Sequence, residues 1–168
     1  MHTPDHAPEN RSRMRCHRAT GFTMVELMVA IVITGILAAI AAPSFSNLIA
    51  RQRAKSIASE LYAALSKARS EAIARNTNVT LSPKAGGWQN GWRILDPANA
   101  SNVLEDRGVA TGATVSGPAG VAYQGSGRIQ GSSVPSFVIT MTGGSTSVYQ
   151  CISIELSGRP YMKAASSC

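Results

Sequence analysis

The sequence predicts an α+β protein in which a long N-terminal helix packs on a C-terminal antiparallel β-domain. Residues 22–42 form an apolar run with one charged residue, and residues 44–75 are rich in alanine without glycine or proline. Residues 76–168 carry thirteen of the fifteen glycines and several short alternating apolar segments. The first two segments predict one continuous helix, and the third predicts a sheet.

The N-terminal end has the form of a targeting signal. Residues 1–21 carry four arginines against two acidic residues, and the following apolar run is long enough to cross a bilayer as a helix. One interpretation is a secretory signal peptide cut after Ala39-Ile40-Ala41, which has the small-x-small form that signal peptidase accepts. The mature chain would then start at Ala42. The length of the run and the charge of Glu26 inside it argue against this interpretation.

A second interpretation rests on the start of the run. The segment GFTMVE at 21–26 resembles the prepilin peptidase site of type IV pilins and type II secretion pseudopilins. The resemblance implies cleavage between Gly21 and Phe22, N-methylation of Phe22, and retention of Glu26. It also implies that Glu26 pairs with the N-terminal amine of a neighbouring subunit during assembly. A carboxylate inside a membrane helix is costly, and such groups usually have a partner.

Two residues are expected to weaken the long helix. Gly35 and Pro43 fall where pilin helices commonly carry glycine and proline. Pro43 removes a backbone donor and is expected to kink the helix near Ala39, and Gly35 weakens the turn before it.

The resemblance divides the chain into four segments and implies the pilin fold. They are a leader over 1–21, a transmembrane half-helix over 22–43, an amphipathic half-helix over 44–75 and a β-domain over 76–168. The implied location is the inner membrane, crossed once, with the β-domain in the periplasm before incorporation into a cell-surface or periplasmic filament. The implied partners are the prepilin peptidase, other minor and major pilins, and the inner-membrane assembly platform.

The segment 44–75 carries an apolar stripe at helical spacing, which is expected to pack on the β-domain. Two i,i+4 ion pairs, Lys67–Glu71 and Glu71–Arg75, are expected on its surface. The stripe consists of Ile57, Leu61, Leu65, Ala68 and Ala72.

Alternating apolar segments predict the strands of the β-domain. They lie at 79–81, 92–95, 137–141 and 152–156, and turns are expected at the glycine clusters 85–91, 116–120, 125–131 and 143–144. Phe137, Ile139 and Met141 are expected on one face, as are Ile152, Ile154 and Leu156.

A tryptophan motif indicates a particular group within the pilins and pseudopilins. The segment GGWQNGW at 86–92 resembles a W-x-x-G-W pattern of the GspH/FimT group of minor pilins and pseudopilins, and ARSEA at 68–72 is also typical of that group. The group implies a minor pilin in a priming or tip complex, with a GspH-type pseudopilin of type II secretion as the alternative. Trp88 and Trp92 are interpreted as packing residues, with stacking on nucleic-acid bases as the alternative.

Removal of the leader would take Cys16 away and leave Cys151 and Cys168. An even pair of cysteines in an exported domain predicts a disulfide. The disulfide would hold residues 157–163 as a constrained loop or hairpin.

That hairpin contains the candidate nucleic-acid site. FimT-type pilins have a C-terminal Gly-Arg-x-Arg segment associated with DNA binding in natural transformation. Gly158 and Arg159 match this pattern, but Tyr161 occupies the second arginine position, and Lys163 lies two residues further on. The cations could bind phosphates and Tyr161 could stack on a base. An ordinary turn is the alternative interpretation.

Composition argues against an enzyme and against a cofactor. The three histidines, His2, His6 and His17, all fall in the predicted leader, so the mature chain would lack a histidine base or ligand. No phosphate-cradling glycine motif is present. The formal charge of the whole chain is +7, but residues 76–168 carry only six basic against four acidic residues. The high charge therefore belongs mainly to the leader and the helix, and DNA is a partner only if the basic groups converge.

Overall fold

The computed structural model describes residues 21–143 and 146–168, except for the side chains of residues 42 and 43. Two compact units divide the chain, one ending at Ala38 and the other covering Ala39–Cys168. The elements are α1 (Met24–Arg75), β1 (Val79–Lys84), β2 (Gly87–Leu95), β3 (Val103–Arg107), β4 (Ala113–Ser116), β5 (Val121–Tyr123), β6 (Ser136–Gly143), β7 (Thr146–Ile154) and β8 (Pro160–Lys163).

The first unit contains the N-terminal part of α1, up to Ala38. An 18-residue stretch of this helix has a mean hydropathy of 2.5, and none of that stretch is buried. By length and composition, α1 is therefore able to cross a membrane.

The second unit contains the rest of α1 and two four-stranded sheets. The strand orders are β3-β2-β1-β5 and β4-β6-β7-β8, and neighbouring strands are antiparallel. The buried side chains of α1 and of both sheets form one hydrophobic cluster. The α+β class and the helix-on-sheet arrangement predicted from the sequence are therefore confirmed.

The predicted apolar stripe is the buried face of α1. All five of its residues are buried, and four further alanines extend it. Small side chains on this face allow close approach of the sheet, since a Cβ added to Gly143 of β6 would lie 2.6 Å from the Cβ of Ala50. The added alanines are Ala50, Ala54, Ala58 and Ala64.

The β6–β7 hairpin directs its apolar residues to the same core. Phe137, Ile139 and Met141 are buried on one face of β6, as predicted. The prediction for 152–156 is wrong at its end, because β7 stops at Ile154 and Leu156 lies in the following turn with 36% of its surface exposed.

The tertiary structure also changes one predicted ion pair. Glu71 accepts from Nε of Arg75 at 2.7 Å, as expected. Lys67 instead reaches β3, where its Nζ lies 2.7 Å from Glu105 and 2.7 Å from the carbonyl oxygen of Leu104. The contact of Lys67 with β3 could not be predicted from helical spacing, because that spacing identifies only neighbours on the same helix.

Candidate functional site

The residues around the predicted cleavage site precede the helix. Gly21, Phe22 and Thr23 lie outside α1, and 75% of the surface of Phe22 is exposed. A Cβ added to Gly21 would meet nothing within 4 Å. The bond between Gly21 and Phe22 is therefore outside the helical hydrogen-bond ladder, which suits attack by a protease. Residues 1–20 of the predicted leader lie outside the described residues.

Glu26 lies in the first turn of α1, where a negative charge is favoured by the helix dipole. The hydroxyl oxygen of Thr23 accepts a hydrogen bond of 3.2 Å from the backbone N–H of Glu26, so Thr23 is the N-cap. The spacing of Thr23 and Glu26 is that of a capping box. Glu26 has no ion pair with another described residue, and its carboxylate is available to a partner chain.

The predicted kink residues both lie within α1, which continues to Arg75. A Cβ added to Gly35 would meet nothing within 4 Å. The side chain of Pro43 lies outside the described part of the chain, and the kink stays a prediction.

The Gly-Arg pair of the candidate nucleic-acid site forms the turn between β7 and β8. The N–H of Gly158 donates to the carbonyl oxygen of Glu155 at 2.8 Å, and the N–H of Glu155 donates to that of Arg159 at 3.1 Å. Gly158 has φ of 86°, and a Cβ there would collide with the carbonyl oxygen of Gly127. Glycine is therefore required here by the backbone, independently of any ligand.

Arg69 of α1 holds this turn in place. Its Nε donates to the carbonyl oxygen of Gly127 at 3.0 Å, and its Nη2 donates to that of Ser157 at 3.2 Å. One side chain thus joins the helix to two turns, one after β5 and one after β7. The sequence analysis did not identify this role of Arg69, because helical spacing carries no signal for the turns that its side chain reaches.

Arg159 lies at the edge of a groove between α1 and the β7–β8 turn. The groove has a volume of about 530 Å³. Arg159 is exposed, and its guanidinium makes no hydrogen bond or ion pair with another described residue. The groove is lined by Tyr62, Ser66, Arg69, Ser70, Ile73, Ser157, Arg159 and Pro160.

Tyr161 and Lys163 project from the opposite side of the sheet to α1. They pair with Ser153 and Cys151 of β7, while the intervening Ile152 is in the core, and directly opposed residues share a face. Tyr161 has 45% of its surface exposed. The Nζ of Lys163 donates to the carbonyl oxygen of Cys168 at 3.4 Å. Tyr161 and Lys163 therefore share one face of β8, and Arg159 precedes this strand and lines the groove beside α1.

A disulfide joins Cys151 to Cys168, with Cα atoms 5.6 Å apart. Cys151 is fully buried and pairs with Lys163 in the sheet register. The disulfide therefore brings the carbonyl oxygen of Cys168 to the Lys163 ammonium. The region predicted as a constrained loop or hairpin is a hairpin, with β8 as its second strand.

The two tryptophans are packing residues, which excludes the alternative that they stack on bases. Trp88 is 3% exposed, and its ring meets Phe137 edge-on at 4.7 Å between centroids. Trp92 is fully buried beneath the guanidinium of Arg107, 5.2 Å from the ring centroid. A Cβ at Gly91, which has φ of 102°, would collide with the carbonyl oxygen of Arg107, which explains the glycine of the motif.

Comparison with known families agrees with this architecture. Residues 58–158 match the family model described as type II transport protein GspH, which is more than half of the chain. The chain belongs to the GspH family. Residues 16–42 also match the prokaryotic N-terminal methylation motif, which spans the predicted cleavage site.

Relatives of this GspH-family chain include fimbrial proteins. A fimbrial protein of Pseudomonas aeruginosa is 31% identical over 140 residues, covering 78% of this chain and 83% of that protein. The type IV major fimbrial protein FimA of Dichelobacter nodosus is 52% identical over 40 residues, covering 24% of this chain and 26% of that protein. Crystal structures of the type IV minor pilin FimU of P. aeruginosa share the fold. One has a TM-score of 0.56 at 22% identity, covering 67% of this chain and 90% of that one.

Proposed function

We propose that the protein is a minor pilin that is cut after Gly21 and joins type IV pili through α1. The observation that carries the proposal is the position of the GFTMVE segment. The predicted cleavage site lies two residues before Met24, the first residue of α1, and the apolar stretch of this helix is exposed. Such a surface needs an apolar environment, which a bilayer supplies before assembly and neighbouring helices supply in a filament.

In this proposal the chain is first anchored in the inner membrane by residues 22–43, with its β-domain in the periplasm. Prepilin peptidase frees and methylates Phe22. Glu26 then pairs with the N-terminal amine of a neighbouring pilin on the assembly platform, which compensates a charge that is costly in apolar surroundings. As a minor subunit, the protein would join a priming or tip complex with other minor and major pilins.

The type II secretion pseudopilin remains the alternative on the same scaffold. The matching family model is described as a type II transport protein, whereas FimU is described as a type IV minor pilin and the other relatives as fimbrial. The fimbrial relatives favour the pilus. Deletion in the native host separates the two functions: loss of surface pili with normal protein secretion supports the proposal, and the reverse result supports the pseudopilin.

Intact mass spectrometry of the membrane-extracted protein tests the processing step. The expected chain begins at Phe22 and carries one methyl group. A chain that begins at Ala42 would be a soluble exported domain and would overturn the filament assignment. The unprocessed full-length mass in a host with active prepilin peptidase would equally contradict the proposal.

DNA binding is the second candidate function. It is favoured by the exposed and unpaired guanidinium of Arg159, with Tyr161 exposed on the following strand. Two cations form a small footprint, so binding is expected to be weak and sensitive to salt. The hydrogen bond from Lys163 to Cys168 further reduces its availability to a phosphate.

A gel shift with the oxidised mature chain in detergent at about 150 mM salt tests this candidate. Micromolar binding by the parent that is lost in Arg159→Ala/Lys163→Ala would support it. The matched control is Arg93→Ala/Arg128→Ala, which removes two exposed cations from other parts of the sheet domain. Equal losses in both double variants would indicate nonspecific charge attraction, and no shift by the parent at high micromolar protein would refute a DNA site in the isolated chain.

A further inference from the structure

One face of α1, just beyond the apolar run, exposes three large apolar side chains. Phe45, Leu48 and Ile49 have 63%, 52% and 37% of their surfaces exposed. Their spacing places them on one side of the helix, opposite the buried side that carries Ala50 and Ala54. Phe45 and Leu48 are therefore turned away from the sheets, and Ile49 lies at the edge of the stripe, beside a groove between α1 and β6.

Three cations flank this stripe. At about 100° per residue, Arg51 and Lys55 lie on one side of it and Arg53 lies on the other. All three are exposed, and none makes a hydrogen bond or ion pair with another described residue. No acidic residue occurs between positions 44 and 59, and the next one, Glu60, is paired with Arg107. The positive charge of this face is thus uncompensated.

The cations are close enough to the end of the apolar run to reach lipid headgroups. Arg51 lies about 12 Å along the helix axis beyond Pro43, at about 1.5 Å per residue. The headgroup layer adds roughly 5–7 Å to each side of the hydrocarbon core. Long basic side chains extend toward the interface, and charges attract over about 8 Å at physiological salt.

We propose that this basic-apolar face (Phe45, Leu48, Ile49, Arg51, Arg53 and Lys55) binds anionic phospholipid headgroups before assembly. The inference rests on the membrane anchorage in the proposed function. An apolar stripe flanked by cations is the surface pattern of helices that lie against anionic membranes. A second copy of this chain is a poorer occupant, because apposing two such faces would bring six positive charges together without an acidic residue.

The test uses the mature chain with Gln52→Cys as its single free thiol, since Cys151 and Cys168 remain joined. Gln52 is exposed on the basic-apolar face. A fluorophore is attached to this thiol, and the chain is reconstituted in phosphatidylcholine vesicles with and without phosphatidylglycerol. The quenching of its fluorescence by iodide, which stays in the aqueous phase, is then measured. Because α1 anchors the chain in both kinds of vesicle, a difference between their quenching constants reports the effect of the headgroup charge. We expect the quenching constant to be at least about twofold lower in the anionic vesicles, with the difference removed by about 0.5 M salt.

Paired variants assign the effect to the face. In Arg51→Gln/Lys55→Gln the difference in quenching between the two kinds of vesicle should disappear. Arg93→Gln/Arg128→Gln, which removes one cation from β2 and one from the turn after β5, should retain it. The inference is overturned if the parent is quenched equally in both kinds of vesicle. It is also overturned if Arg51→Gln/Lys55→Gln is protected from iodide in anionic vesicles as well as the parent is. Protection that rises with protein density in neutral vesicles would identify a second copy instead and also overturn it. Failure of the chain to float with either vesicle would refute the membrane anchorage, and with it both proposals.

Discussion

The Nε atom of Arg69 on α1 donates a hydrogen bond of 3.0 Å to the carbonyl oxygen of Gly127, in the turn after β5. The same guanidinium bonds Ser157 in the β7–β8 turn. The groove next to Arg159 depends on this arrangement, because Arg69 holds one of its walls at a set distance from the helix.

Arg69→Ala is expected to lower the free energy of unfolding by about 2 kcal/mol, since it leaves two carbonyl oxygens without their charged donor. The measurement is urea unfolding of the mature chain in detergent, followed by the fluorescence of the buried Trp88 and Trp92. Arg53→Ala is the control, because the exposed guanidinium of Arg53 on the same helix makes no hydrogen bond or ion pair with a described residue, and it should change stability by less than about 0.5 kcal/mol. Equal effects of the two variants would contradict the bridging role.

Gly158→Ala is expected to destabilise the protein by more than about 1 kcal/mol, because φ is 86° and the new Cβ would meet the Gly127 carbonyl. Gly112→Ala is the matched control. Gly112 also has positive φ, 77°, but a Cβ there meets nothing within 4 Å. The same unfolding measurement should therefore give a smaller loss for Gly112→Ala. If the two losses are the same, the contact with Gly127 contributes nothing beyond backbone strain.

Glu26→Gln is expected to leave cleavage and methylation unchanged but to reduce incorporation into pili by at least about tenfold. Glutamine can replace glutamate in a capping box, so the start of α1 is preserved while the charge is lost. Loss of an ion pair in apolar surroundings costs more than about 1.4 kcal/mol, which corresponds to the tenfold loss. The readout is an immunoblot of sheared filaments beside intact mass. Thr23→Ser, which keeps the N-cap, is the control, and normal incorporation of Glu26→Gln would disprove a role for the charge.

Reduction of the Cys151–Cys168 disulfide is expected to lower the free energy of unfolding by about 3 kcal/mol, since it opens a loop of 17 residues in sequence separation. Comparison of urea midpoints with and without reductant measures this difference. Cys151→Ser/Cys168→Ser should unfold at the reduced midpoint under both conditions. A midpoint of the parent that does not respond to complete reduction would show that the hairpin is held by its sheet contacts alone.

We expect the free energy of unfolding to depend on pH in the acid range because of Asp96. The hydrogen bond from the backbone N–H of Ala98, with the amide of Asn102 and the nearby Arg75, lowers the pKa of the Asp96 carboxyl from its usual value. A lowered pKa in the folded state contributes stability above the unfolded-state pKa of about 3.9, and this contribution is lost as pH falls through the folded-state pKa.

Unfolding measured between about pH 3 and pH 7 checks this dependence. Asp96→Asn should be less stable than the parent at neutral pH, and the two should converge at the acid end. Asp106→Asn is the comparison, because the Asp106 side chain is 54% exposed. A constant difference between Asp96→Asn and the parent across the range would refute the charge-dependent contribution.

Local patterns were sufficient for the main architecture. The buried stripe of α1 and the inward face of β6 follow from periods of 3.6 and 2 residues, which record the direction of each side chain along its own element. The processing site was also predicted from a local pattern, because the six residues of GFTMVE are contiguous in sequence. Strands β3, β4 and β5 were not predicted, because they are short, and β4 and β5 also pair with strands that lie far away in sequence.

The sequence by itself determined the long helix, its apolar and amphipathic halves, the helix-on-sheet class and the cysteine pair. Each depends on composition or on spacing within one segment. Only the tertiary structure decided that Arg69 bridges two turns and that Lys67 reaches Glu105. Those relationships join residues separated by tens of positions, and their distances are set by how the sheets pack on α1, which no local period encodes.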